Sequence, residues 1–199
     1  SCTATVTKYD ADKIAKESVQ CVDSSGKPVN EVQYTILINP NAQDLDTNSD
    51  TLTLRDDLTL PSGTSGQIVY SSISLYEYDG NSADDKLILG NQVECSPSYS
   101  DENPHTFSIT VQDSHAYVLR YRVKITAFNP GTTSININNT ATLGTNIFAN
   151  KRYDMRTVTY GADLDSSEFT IVKQDTEWNR LKGAKFAVEM YDSDSETWV

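Results

Sequence analysis

The sequence predicts an all-β protein built as an antiparallel β-sandwich. Three observations carry that prediction. Apolar and polar residues alternate through most of the chain, the period of a strand with one buried face. Polar clusters rich in Asn, Asp, Gly, Pro and Ser break the alternation at short intervals, where turns belong. Helical periodicity is nearly absent, and many short two-faced strands without helices pack as two facing sheets.

The strands follow in order. "EVQYTILIN" puts Val32, Tyr34, Ile36 and Ile38 on one face. "TLTLRDDL" aligns Leu52, Leu54, Asp56 and Leu58, and "HTFSITV" aligns Phe107, Ile109 and Val111. The clearest run is "AYVLRYRVKITAF". There Tyr117, Leu119, Tyr121, Val123, Ile125 and Ala127 are expected to face inward, with Arg120, Arg122 and Lys124 toward water. "SININNTATL" ends the series with Ile135, Ile137, Asn139, Ala141 and Leu143 in one row. Between these runs, "NPNAQDLDTNSD", "LPSGTSG", "YDGNSADD", "SPSYSDENP" and "NPGTT" read as turns.

After residue 160 the pattern restarts. A linker, "YGADLDSSE", leads into "FTIVKQDTEWNRLKGAKFAVEMYDSD", which offers two strands around a polar turn. Two strands cannot bury a core of their own. The expected organisation is therefore one domain over 1–160 and the opening of an incomplete second one over 161–199. "CTATVT" at 2–7 echoes "NTATLG" at 139–144, as tandem β-modules would.

Composition narrows the function. The chain has 199 residues, 37% hydrophobic, with eleven tyrosines and five phenylalanines, enough for a packed core. A net charge of −12 argues against nucleic acid or an anionic membrane as partner, since both need a cationic surface. Cys2, Cys21 and Cys95 are odd in number and lack C-x-x-C spacing, so neither a zinc site nor a disulfide framework is indicated. "DLDTNSD" alternates oxygen ligands (Asp44, Asp46, Asn48, Asp50) but lacks the central glycine and closing glutamate of a calcium loop. No metal or cofactor is expected. His105 and His115 lie near turns with no nucleophile motif, so the chain reads as a protein without enzymatic turnover.

Three polar residue types sit where apolar ones belong. Asp56 shares the face of Leu52, Leu54 and Leu58, and Asn139 sits in the middle of an apolar row. Near the start, Lys16 has the parity of Ile14, and Lys8 continues the row Cys2, Ala4, Val6. An unpaired ionised group in a core costs several kcal/mol, against about 5–15 kcal/mol for a whole domain. Such groups must pair, change protonation or react. Burial raises the pKa of Asp and lowers that of Lys, so a proton can pass between them. A neutral, desolvated lysine is a nucleophile. Its attack on the Asn139 carboxamide, polarised by a protonated Asp56, would release ammonia and leave a Lys–Asn isopeptide bond.

"QYTILINP", "LTLRDDL", "YVLRYRVKI" and "NNTATL", in that order, resemble the isopeptide-forming domains of Gram-positive surface adhesins and pilins. The match is to the Ig-like A-type fold of collagen adhesins. The resemblance implies Asp56 as the assisting acid and Asn139 as the acceptor. It favours Lys16 as the nucleophile, with Lys8 as the alternative. "FTIVKQDTEWNRLKGAKFAVEMYD" resembles the start of a B-type (Cna-B, SpaA-like) domain, with Lys173 in the place of that family's bond-forming lysine and its partners absent.

The resemblance implies an extracellular, cell-wall-anchored stalk or adhesion module, in contact with neighbouring modules of the same surface protein. The alternative expectation is a ligand-binding adhesin domain that recognises a host protein or glycan.

Overall fold

A computed structural model describes residues 12–100, 102–158, 191–192 and 197–198. The chain divides into two compact units, Ser1–Val158 and Thr159–Val199. In the first, ten strands follow one another: β1 (Ile14–Val22), β2 (Pro28–Ile38), β3 (Thr51–Thr59), β4 (Thr64–Asn81), β5 (Leu87–Val93), β6 (Ser98–Ser100), β7 (Asn103–Gln112), β8 (Tyr117–Phe128), β9 (Ser134–Leu143) and β10 (Ile147–Arg156). They form two five-stranded antiparallel sheets, ordered β1-β2-β8-β4-β5 and β10-β9-β3-β7-β6. The predicted all-β sandwich is the fold. In the second unit the described residues form one short antiparallel pair, β11 (Tyr191–Asp192) with β12 (Thr197–Trp198).

The core lies between the sheets, on the inward parity of each strand. β2 contributes Val32, Tyr34, Ile36 and Ile38, and β8 contributes Tyr117, Leu119, Tyr121, Val123 and Ile125. From the other sheet come Leu52, Leu54 and Leu58 of β3, Phe107, Ile109 and Val111 of β7, and Ile135, Ile137, Ala141 and Leu143 of β9. β-Branched and aromatic residues favour these pleated, half-buried surfaces. Local chemistry makes the connections. In the β1–β2 turn the Asp23 carboxylate accepts from the backbone N–H of Ser25 (2.8 Å) and Lys27 (3.0 Å).

Four details depart from the sequence reading. Ala127 is exposed rather than inward, because the pairing of β4 with β8 slips between Ser65 and Gly66, opposite Ile125 and Ala127. Gly66 permits that close approach, since a Cβ there would lie 2.7 Å from the Lys124 carbonyl oxygen. On the outward parity of β8, Val118 is buried and Arg120 is only partly exposed. The segment "SPSYSDENP" contains the short strand β6. Finally, β10 follows the Asn139 strand, which is therefore the penultimate strand of the unit. In β10, "IFANKRYDMR", only Ala149 and Met155 are fully buried, so its period is faint in the sequence.

β10 closes one side of the sandwich against β1. The Gln20 N–H donates to the Tyr153 hydroxyl (2.9 Å), and the Gln20 side chain donates to the Arg156 carbonyl (2.7 Å) and accepts from its N–H (3.1 Å). Lys151 pairs with Glu17 at 2.5 Å. Side chains thus cover the outer strands of both sheets on this side, which otherwise offer unpaired backbone groups.

Candidate functional site

Five strands bring polar groups to one place in the core. Lys16 comes from β1, where its register partner on β2 is Ile36. Asp56 comes from β3, opposite Phe107 on β7 and Ala141 on β9. Asn139 lies on β9 opposite Leu58. Tyr34 and Tyr121 face each other across β2 and β8. Strand alternation alone turns each of these side chains inward, since each shares parity with buried apolar neighbours. Lys16 is 5% exposed, and Asp56 and Asn139 are fully buried.

The cluster is a connected chain of contacts. Lys16 Nζ donates to Asp56 Oδ2. The Tyr121 hydroxyl donates to Asp56 Oδ1 (2.8 Å) and accepts from Asn139 Nδ2 (2.9 Å). Rings wall it in: Tyr34 stacks on Tyr121 with centroids 5.6 Å apart, and Phe107 meets Tyr121 edge-on at 5.0 Å. Lys16 Nζ lies 5.1 Å from the Tyr34 centroid and 5.7 Å from that of Tyr121. Among the described residues, Asn139 Oδ1 and the Tyr34 hydroxyl have no hydrogen-bond partner.

Burial sets the proton affinities. It pulls the Lys16 ammonium below its ordinary pKa, against the attraction of Asp56. It pushes the Asp56 carboxyl up, against Lys16 and the hydrogen bonds from Tyr121 and Asn139. Burial, followed by the Asp56 charge, also raises the hydroxyls of Tyr121 and Tyr34, the latter opposed by the nearby Asn139 carboxamide. Both members of the ion pair are therefore driven toward their neutral forms, an amine and a carboxylic acid. A desolvated, neutral amine has the chemistry of a nucleophile, and here it shares one buried cluster with a carboxamide.

The neighbouring Asp57 faces outward. It pairs with Arg55 (2.8 Å) and accepts from the Thr106 hydroxyl (2.9 Å), and these contacts hold its pKa low. Lys8, Cys2 and Lys173 lie outside the described residues. Cys21 and Cys95 are free thiols, each half-buried.

In the "DLDTNSD" loop, Asp46 accepts from the backbone of Asn48 (3.0 Å). The buried Asp113 accepts from the backbone N–H of Leu45 (3.0 Å), Asp46 (2.8 Å) and Ser114 (2.7 Å). These carboxylates shape turns, and no group of three potential ligands assembles among the described residues.

Sequence reading treated Tyr34 and Tyr121 as core material and missed their hydroxyls. The available signal was tyrosine where phenylalanine would fill the same space, because a buried phenol needs a polar partner.

Fold and cluster together define a two-sheet β-sandwich with a lysine, an aspartate and a carboxamide sealed between its sheets. No family model matches the chain, and neither does any curated protein. Among solved structures it is similar to the collagen-binding domain of a Staphylococcus aureus adhesin, at 14% identity and a TM-score of 0.40, over 75% of this chain and 98% of that one. It is also similar to the collagen-binding subdomain of the Enterococcus faecalis surface protein ACE: 12% identity, TM-score 0.41, 76% of this chain and 99% of the other. The Corynebacterium diphtheriae major pilin SpaA, whose structure is described as having stabilising isopeptide bonds, matches at 15% identity and a TM-score of 0.37, over 65% of this chain and 31% of the pilin.

Proposed function

We propose that this chain is a structural module of a surface adhesin or pilus-like stalk, stabilised by an isopeptide bond between Lys16 and Asn139. One observation carries the reading: Lys16, Asp56 and Asn139 meet in a single buried cluster. Asp56 takes a proton from Lys16, the freed amine attacks the Asn139 carboxamide carbon, and ammonia leaves. The order of sequence motifs, which resembles that of isopeptide-forming surface proteins, supports the same reading.

The bond would join β1 of one sheet to β9 of the other. It would close a loop of about 120 residues, for which chain entropy alone gives roughly 5 kcal/mol of stabilisation. Tension applied through the chain would meet a covalent link between the sheets, so the sandwich could not unzip from its β1 side. Such a bond suits a load-bearing module whose described cysteines, Cys21 and Cys95, are free thiols.

Intact-mass measurement of the purified protein tests the proposal. The mass should fall short of the sequence mass by one ammonia, and the Asn139→Ala variant should show no shortfall. Peptide mapping should find Asn139 joined to the peptide containing Lys16. An unmodified mass refutes the bond, and recovery of Asn139 joined to Lys8 reassigns the nucleophile.

A further inference from the structure

The Tyr121 hydroxyl occupies a place in the cluster that simple wall-building does not require. Its oxygen lies 2.9 Å from Asn139 Nδ2, the nitrogen that must depart as ammonia, and 2.8 Å from Asp56 Oδ1. Lys16 contacts the other oxygen of the same carboxylate, Oδ2. Asp56 thus faces the nucleophile with one oxygen and, through Tyr121, the leaving group with the other. The Asp56 carboxyl and the Tyr34 hydroxyl also lie near the Asn139 carboxamide, but the Tyr121 hydroxyl is the group that contacts both Nδ2 and the Asp56 carboxylate at hydrogen-bond distance.

We infer that Tyr121 is a catalytic residue of the cross-linking reaction, relaying a proton from Asp56 to the departing Asn139 nitrogen. The inference rests on the isopeptide reading above and adds a step to it. An amide nitrogen is a poor base because its lone pair is delocalised, and in the resting cluster Nδ2 can only donate. When Lys16 Nζ bonds to Cγ, that carbon becomes tetrahedral and Nδ2 becomes an amine with a free lone pair. The hydrogen bond to Tyr121 then reverses, and the hydroxyl donates where it had accepted.

The step balances. Lys16 first gives one proton to Asp56, leaving a neutral amine and a neutral acid. The new C–N bond forms and the Cγ–Nδ2 bond breaks. Nδ2 takes the Tyr121 proton and leaves as NH3, while Tyr121 takes the Asp56 proton. Nζ then returns one proton to Asp56, keeps the last as the amide N–H, and leaves Asp56 neutral. No external acid, base or metal enters. In a site closed to water, only a group already in contact with Nδ2 can make the transfer at low cost.

The test replaces the hydroxyl without emptying the space. Tyr121→Phe removes the proton carrier and keeps the ring. A second variant carries 4-aminophenylalanine at position 121, which fills the same volume and still donates to Asp56 but does not give up a proton as a phenol does. Both are followed by intact mass over time after purification, with circular dichroism to check the β-sandwich. Wild type should be fully ammonia-depleted at isolation. Both variants should be isolated largely unreacted and convert at least about 100-fold more slowly, the lower end for general acid–base catalysis.

If Tyr121→Phe does not fold, the aminophenylalanine variant decides. A folded variant that is fully cross-linked at isolation overturns the relay and leaves the bond intact. A wild-type protein that retains its ammonia sinks the isopeptide reading itself, a separate and distinguishable outcome.

Discussion

Asp56 and Asp57 are adjacent residues of the same type on one strand, and they experience opposite physics. Asp57 is 40% exposed at its side chain and pairs with a half-exposed Arg55, and the hydrogen bonds from Arg55 and Thr106 hold its pKa down. Asp56 has no solvent, one buried lysine and a phenol, and burial raises its pKa despite the lysine beside it. The same contrast occurs on β1, where the buried Lys16 is followed by Glu17, in an exposed pair with Lys151. Exposed pairs contribute about 0–1 kcal/mol, whereas a buried pair must offset a desolvation penalty of several kcal/mol per ion. A conventional core would replace the inner pair with apolar residues. The proposed isopeptide bond would give it a reason to be there, because such a bond neutralises the lysine for good.

The sharpest way to break the comparison is to remove the bond from the inner side. Asn139→Ala should lower stability by about 5 kcal/mol, the chain-entropy value for the enclosed loop. For a domain of this size that corresponds to roughly 10–20 °C in Tm, measured by calorimetry or thermal circular dichroism. A shift of only a degree or two would mean that the inner cluster is no more than an unusual ion pair.

A smaller effect separates charge from linkage. Lys16→Met removes both the nucleophile and the cation that holds the Asp56 pKa down, leaving a buried carboxyl raised by burial alone. Its folded pKa then exceeds the unfolded value of about 3.9. The folded state binds the extra proton, so stability is greatest below about pH 4 and declines as pH rises through the folded pKa. Denaturant unfolding of Lys16→Met across pH 4–8 should show that decline, and a flat profile would place Asp56 in contact with water.

The smallest effect is expected on the outer face. Asp57→Ala should change stability by no more than about 1 kcal/mol and leave the mass shortfall of ammonia unchanged, as intact mass and thermal melting would show. Loss of the cross-link in this variant would reverse the roles assigned to the two aspartates.

The two faces also differ in how far the sequence reveals them. The inward parity of Asp56 and Asn139 is visible in "TLTLRDDL" and "SININNTATL", because leucine and isoleucine mark the buried row on both sides. Lys16 was harder to place, since "IAKESVQCV" carries a clear apolar partner only at Ile14, and the rest of β1 is half-exposed. Ala127 was misplaced because a register slip between neighbouring strands leaves no trace in the alternation of either one. β10 escaped notice because it buries few residues and meets β1 largely through polar side chains.

From the sequence alone come the class of fold and the face on which most residues of the clearly alternating strands lie. Both follow from a period of two along the backbone, which is a local property. Tertiary structure alone decides which inward residues meet. Lys16 is 40 positions from Asp56 and the two lie in different sheets, so only sheet order and the packing of one sheet on the other bring them together. The Tyr121 hydroxyl is likewise just one phenol among eleven in the sequence. It becomes a link between acid and amide because β8 lies across the core from β3 and β9. Alternation is written along one dimension, whereas the buried cluster is assembled in three.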